Sequence, residues 1–342
     1  MFCAMKESNI ALMEVCGTHT MAIARSGIKK LLPEFIRLIS GPGCPVCVTS
    51  QSDIDKAVNL AGRKDVIMAT FGDMMRVPGT FSSLANMKRN GADVQVVYSC
   101  LDALKIACSN PQKKIVFMGV GFETTSPTVA QTILEAKKRK IKNFFLLSNF
   151  KLIFPALRAI CSMPDIKVDG FICPGHVSVI TGADPYEKFA KTFKKACVIT
   201  GFDDVDILKG IKRLVLMIKD GKYGVEIEYK RAVSKKGNPK AREILSSVFE
   251  ETDSFWRGIG NIKGSGLHLR KEFESFDAEK EFNVKVPKPV FKKGCICGDV
   301  LCGKKTPEEC ALFGKACTPQ NPIGPCMVSS EGSCAAYYKY GE

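Results

Sequence analysis

Two short stretches place soft, reactive side chains at spacings that suit metal or redox chemistry. One is CGTHT, Cys16 to Thr20, and the other is GPGCPVC, Gly41 to Cys47. In the second, Gly41, Pro42, Gly43 and Pro45 leave the turn few conformations and set Cys44 and Cys47 close together. Thiols so placed hold a metal or open and close a disulfide. In the first, His19 follows Cys16 by three residues, which on a helix puts both on one face, within reach of a common metal or proton. Each stretch also has a plain structural reading: two buried cysteines in a tight turn, and a helix cap beside a satisfied histidine.

The elements around these residues decide what they can meet. Phe35 to Ser40 reads as a strand and Ser52 to Ala61 as a helix. The GPGCPVC turn therefore lies where a strand feeds a helix, and free amides and the helix dipole stabilise thiolates there. Ala11 to Val15 is a short apolar run ending at CGTHT. Further strands are read at Asp65 to Thr70, Asp93 to Tyr98, Lys114 to Gly119, Asn143 to Ser148, Asp169 to Cys173 and Ala196 to Thr200. Helices are read at Leu101 to Cys108, Pro155 to Cys161 and Asp204 to Lys219.

Motifs recur at the strand ends. FGDMMRVPG, Phe71 to Gly79, offers Asp73 and Arg76, which can pair with each other or orient a ligand. GFETT offers Glu123 with Thr124 and Thr125 just before a helix, as ligand-facing groups or as a cap. CPGH, Cys173 to His176, repeats the spacing of a cysteine three residues before a histidine. The chain has three histidines, and two of them follow such a frame.

Strand–helix alternation builds parallel sheets covered by helices, with ligands bound at the carboxyl ends of the strands. The expected fold is α/β: two parallel-sheet lobes with a central cleft, plus a small C-terminal domain. Residues 1–115 form the first lobe, with CGTHT and GPGCPVC. Residues 116–220 form the second, with GFETT and CPGH. Residues 221–290 form a mixed segment packed on the lobes, with a strand at Glu226 to Val233, a helix at Pro239 to Phe249 and glycine-marked loops around a packed Trp256. Ala278 to Lys293 reads as a connector, and residues 291–342 are the cysteine-rich domain.

At 342 residues and 45% hydrophobic, the chain can bury two or three ordinary cores. No apolar run reaches the roughly 18 residues of a membrane span, and the N-terminus lacks a secretory pattern, so a cytoplasmic protein is expected. Sixteen cysteines in that compartment argue for metal or redox chemistry over a disulfide scaffold. The net charge of +15 comes without a nucleic-acid module, since the lysines are scattered on helix-like faces. Acidic protein partners suit it better. No G-x-x-x-x-G-K-[ST] loop supports nucleotide hydrolysis.

The last fifty or so residues carry Cys295, Cys297, Cys302, Cys310, Cys317, Cys326 and Cys334 among glycines and prolines. A segment this poor in apolar periodicity and this rich in thiols wants a metal. The long, uneven spacings lean toward an iron–sulfur cluster on four thiolates and away from zinc. Spacing alone does not choose the four.

MEVCGTHT, GPGCPVC, FGDMMRVPG, GFETT, CPGH and the ending CTPQNPIGPCMVSSEGSCAAYY, in order over essentially the whole chain, resemble the HypD family of [NiFe]-hydrogenase maturation proteins. The resemblance implies two α/β domains and a small domain with a [4Fe-4S] cluster, its ligands falling on Cys295, Cys310, Cys317 and Cys334; Cys326 is the first substitute among the remaining cysteines. It implies a maturation scaffold with redox activity, not a conventional turnover enzyme. On it, iron receives cyanide and carbon monoxide before transfer to the hydrogenase large subunit, with HypC as partner and HypE as cyanide donor. Cys16 corresponds to the iron-holding thiolate, shared with a HypC cysteine, with His19 steadying the site or relaying a proton. Cys44 and Cys47 correspond to the redox pair, and Asp73, Arg76, Glu123, Thr124 and His176 are candidates to line the cleft. Two departures stand out: Met21 occupies the place of a second histidine, and only twelve residues precede MEVC, which reads as a short N-terminus. A stand-alone iron–sulfur thiol/disulfide oxidoreductase and a zinc-tied adaptor are the competing readings.

Overall fold

The computed structural model describes residues 9–290 and 293–341. The start of the expected first lobe, part of the connector at Phe291 and Lys292, and Glu342 lie outside the described residues.

Among the described residues nine strands form two parallel sheets. Five of them, β1 (Ile10–Glu14), β2 (Ile36–Ser40), β7 (Gly170–Cys173), β8 (Ala196–Ile199) and β9 (Gly224–Ile227), pair in the order β2-β1-β7-β8-β9. The other four, β3 (Val66–Thr70), β4 (Val94–Val96), β5 (Lys114–Gly121) and β6 (Phe144–Phe150), pair in the order β4-β3-β5-β6. Every pairing within both sheets is parallel. Strands such as β3 (VIMAT) and β7 (GFIC) are buried at every position, the pattern of a sheet covered on both faces. One apolar cluster runs through both sheets, from Met13 and Phe171 to Val116 and Phe145, and includes Cys44, Cys47 and Trp256. Among the described residues no helix is long and apolar enough to cross a membrane.

The α/β class agrees with the sequence reading, but the boundary at residue 115 does not follow the strands. β1 and β2 belong with β7 to β9, so the chain leaves the first sheet at Ser40, builds the whole second sheet, and returns at Gly170. Alternation records that strands are parallel and covered. It carries no information on which sheet each one joins.

The other difference is an antiparallel hairpin, β10 (Phe249–Trp256) and β11 (Gly260–Leu269), where glycine-rich loops were expected. Most of β10 is exposed, so no apolar alternation announces it. The expected strand Glu226 to Val233 shrinks to the edge strand β9. Trp256 is fully buried, and its Nε1–H donates to Ser265 Oγ at 2.8 Å. The cysteine-rich segment contains short helical turns at Cys297–Leu301, Pro307–Glu309 and Pro325–Val328, and a helix at Ser333–Tyr340.

Candidate thiol and metal site

β1 has β2 on one side and β7 on the other, which makes its carboxyl end a point where the winding of the sheet reverses. Open α/β sheets bind ligands at such points. β1 runs into Cys16, β2 into Gly41–Cys47, β7 into Pro174 and His176, and β8 into Thr200, Gly201 and Phe202.

Cys16 is the extended residue before helix Gly17–Ser26, and its side chain makes no capping hydrogen bond. Burial pushes its thiol up to about 12, helped by the negative charge of Glu331 and opposed by the Thr18 and His19 amides and the Thr18 hydroxyl. At neutral pH the proton stays on sulfur until a metal displaces it.

The two cysteine motifs touch through their backbones. Gly43 packs so tightly on the first that a Cβ would stand 2.1 Å from Cys16 N. The Gly17 amide donates to the Gly43 carbonyl at 3.0 Å, and the Gly41 amide to the Glu14 carbonyl at 2.8 Å. Cys44 and Cys47 form a disulfide. Cys44 also starts helix Pro45–Val48, with its sulfur accepting the Cys47 amide at 3.2 Å.

Over this pair lies Ser329 to Glu331 of the cysteine-rich segment. Ser329 Oγ is 3.3 Å from Cys44 Sγ and donates to Asp73 Oδ2 at 3.2 Å. Asp73 Oδ2 also accepts the Ser330 amide and hydroxyl, each at 2.9 Å. Glu331 accepts the Thr18 hydroxyl at 2.6 Å. Arg76 donates to the Pro319 carbonyl. Asp73 and Arg76 thus hold the C-terminal segment and do not pair with each other.

His19 is fully buried. Its Nε2 lies 2.9 Å from the Gly201 carbonyl and 2.9 Å from Thr200 Oγ1. Donation to the carbonyl puts the proton on Nε2 and leaves Nδ1 bare, and Nδ1 is buried without a partner. Burial lowers the ring's pKa to about 4 against the pull of the Gly201 carbonyl, so His19 is neutral. Phe202 packs between both histidines, tilted on His19 at a centroid distance of 4.8 Å and stacked on His176 at 4.0 Å. This brings the second Cys-x-x-His motif to the first.

Glu123 goes elsewhere. Its Oε1 accepts the Ile153 amide at 3.0 Å, capping helix Ile153–Cys161 and not the helix that follows it in sequence. It lines a cavity of about 580 Å³ with Phe154, Arg158, Thr181 and Lys263, apart from Cys16 and the disulfide. Thr124 beside it is half-buried. Burial raises the Glu123 carboxyl to about 7 against the hydrogen bonds it accepts, and Oε2 has no partner. A folded pKa above the unfolded value means that the stabilising proton is fully present below about 4.5 and lost as pH rises through 7. Wild type should therefore lose roughly 3 kcal/mol more than Glu123→Gln between pH 4.5 and 8 in urea unfolding. Parallel pH profiles would show that the carboxyl is ionised in the folded protein throughout.

Six of the seven C-terminal cysteines, Cys295, Cys297, Cys310, Cys317, Cys326 and Cys334, line one apolar cavity of about 20 Å³. Cys302 points instead toward the Gly258 carbonyl at 4.0 Å. Cys295 shares a hydrogen bond with Cys297, which lowers the Cys295 thiol to about 6 and raises that of Cys297; contact with Cys334 likewise raises Cys326. Among the described residues no three His, Cys, Asp or Glu side chains are grouped to hold a single metal ion.

Sequence reasoning missed Ser329, Ser330 and Glu331, which it met only inside the ending CTPQNPIGPCMVSSEGSCAAYY and to which it gave no role. It also missed Glu14, whose buried carboxyl accepts the Thr20 hydroxyl at 2.6 Å and the Cys16 amide at 3.4 Å. Burial lifts Glu14 to about 8, against hydrogen bonds from Thr20 and Ser40. Its signal was an acid in the middle of the apolar run before Cys16.

A model of the HypD family, described as "Hydrogenase formation hypA family", matches residues 3–341. The chain is 46% identical over 337 residues to "Hydrogenase maturation factor HypD" of Cupriavidus necator, covering 96% of this chain and 89% of that protein. It is 45% identical over 335 residues to the factor of the same name from Escherichia coli K12, covering 98% and 90%. Against that of Rhodobacter capsulatus the figures are 43% over 343 residues, 99% and 91%.

Proposed function

The chain belongs to the HypD family of hydrogenase maturation factors, and from that premise we propose that it holds iron on Cys16 while cyanide and carbon monoxide are added to the metal. The observation that carries this is the contact between CGTHT and GPGCPVC through Gly43. It sets the Cys16 thiol and the Cys44–Cys47 pair on one backbone junction under Ser329–Glu331.

Iron is the cargo. Thiolate is a soft ligand suited to iron carrying strong-field ligands. The Thr18 and His19 amides offset the cost of a buried thiolate at Cys16, and a HypC cysteine completes the hold. Neutral His19, fixed by Gly201 and Thr200, presents a bare Nδ1 as a hydrogen-bond acceptor that steadies the site.

Cyanide arrives as a thiocyanate on HypE. Reduced Cys44 and Cys47 supply the two electrons that split it. The thiocyanate S–C bond breaks and the Cys44–Cys47 bond forms; the donor sulfur leaves as a thiol, and cyanide passes to iron with release of the second proton. The disulfide seen here is the oxidised end of that exchange. The six cysteines lining one cavity suit an iron–sulfur group in donor chemistry, with Cys295, Cys310, Cys317 and Cys334 as the proposed ligands and Cys297 and Cys326 lining the same cavity. A [4Fe-4S] cluster bound there would supply single-electron chemistry beside the dithiol. The iron group then goes to the hydrogenase large subunit.

The test is infrared and Mössbauer spectroscopy on the anaerobically purified complex with HypC, wild type beside Cys16→Ser. Wild type should show cyanide and carbon monoxide stretches and low-spin iron, and Cys16→Ser neither, with equal acid-labile sulfide in both. Retention of the bands in Cys16→Ser would place iron elsewhere.

A further inference from the structure

The hairpin turn from Arg257 to Ile259 is pressed between two cysteine-bearing segments. Gly258, with φ +79°, meets Gly298 backbone to backbone, and a Cβ on Gly258 would stand 2.2 Å from Gly298 Cα. Only glycines allow that approach, and it seats the turn on the loop carrying Cys295 and Cys297. On the other side, the Arg257 amide donates to the Val48 carbonyl at 2.9 Å and its Nε–H to the Thr49 carbonyl at 2.9 Å. These carbonyls end the Cys44–Cys47 turn.

Arg257 is 6% exposed, and its Nη2 is sealed from solvent with no hydrogen-bond partner. A buried guanidinium with an unmet N–H is costly unless negative charge faces it. Arg257 lines a cavity of about 510 Å³ together with Cys295 and Cys297. Burial pulls its pKa down, and charge on Cys297, Cys326 and Cys295, then Asp53, opposes that pull. The guanidinium stays protonated at neutral pH. Asp53 is shared with the buried Lys151, whose Nζ is 3.8 Å from it, so cysteine sulfur ionised by a bound metal group is the main counter-charge open to Arg257.

Given a cluster held as proposed above, we propose that Arg257 is its buried counter-charge, a positioning residue that neutralises the cysteine thiolates and, through Val48 and Thr49, fixes them against the disulfide turn. A fixed cation in a low-dielectric site favours the more negative, reduced state of the group it faces. Its removal lowers the reduction potential.

The experiment compares the full chain, purified anaerobically, as wild type, Arg257→Gln and Arg257→Lys. Iron and acid-labile sulfide per chain, unfolding midpoints and an EPR-monitored redox titration are measured on each. In loaded protein, Arg257→Gln should shift the reduction equilibrium at least tenfold toward the oxidised state, about 59 mV for one electron. Arg257→Lys should recover more than half of the shift. Equal potentials in three loaded proteins overturn the role of Arg257 and leave the cluster reading standing. Wild type without iron and sulfide overturns both. Loss of iron from Arg257→Gln alone, at an unchanged unfolding midpoint, supports the charge role. Loss from both variants with lowered midpoints reduces Arg257 to packing and overturns it.

Discussion

Gly43→Ala is expected to abolish hydrogenase maturation in cells lacking their own copy of this factor, with at least roughly a hundredfold loss of hydrogenase activity. The added methyl would stand 2.1 Å from Cys16 N and 2.2 Å from the Val15 carbonyl carbon. Both are backbone atoms with no flexible end to swing aside, so the two motifs must separate. Their separation breaks the Gly17–Gly43 hydrogen bond and moves the Cys16 sulfur away from the disulfide. The overpacking should also cost about 3 kcal/mol in urea unfolding. Gly62→Ala is the control, because its nearest neighbour would lie at 3.4 Å and its helical backbone accepts a side chain. Near-normal maturation by Gly43→Ala would mean that the junction of the two motifs is not what the chemistry needs.

Cys44→Ser should leave the fold and the C-terminal iron and sulfide in place while stopping cyanide loading. Serine is a good helix N-cap, so its hydroxyl can accept the Cys47 amide that the Cys44 sulfur accepts now. Ser329 and Asp73 keep their hydrogen bonds, and Cys16 keeps its amides. What disappears is the second thiol, and with it the two-electron exchange. The readout is infrared absorption of the HypC complex: cyanide bands absent or below roughly one-hundredth of wild type, at unchanged sulfide content. Normal bands in Cys44→Ser would remove the dithiol from the mechanism.

The structure also separates motifs that look equivalent in sequence. Asp73 and Glu123 both follow a buried strand and a glycine–phenylalanine pair. Asp73 holds Ser329 and Ser330 over Cys44, whereas Glu123 caps helix Ile153–Cys161 beside a different cavity. His176 reaches the Cys16 neighbourhood through Phe202, which follows a third strand in a glycine–phenylalanine pair before an acid.

The parallel α/β character and the placing of the cysteine motifs at strand ends are legible in the local sequence. Both follow from local physics: runs such as VIMAT and GFIC are apolar throughout, and glycine and proline fix the turns after them. The sequence also marked the C-terminal segment as thiol-rich and without a core of its own. Tertiary structure decided what those local signals cannot encode. It assigned β1 and β2 to a sheet completed more than a hundred residues later, and it laid GPGCPVC on CGTHT through the missing side chain of Gly43. It brought Ser329 to Glu331 across the chain to cover Cys16 and Cys44, and it slid Arg257 between the disulfide turn and the cysteine loop. Hydrophobic periodicity states which face of an element is buried. Which element buries it depends on shape and charge contributed by residues far away in the chain.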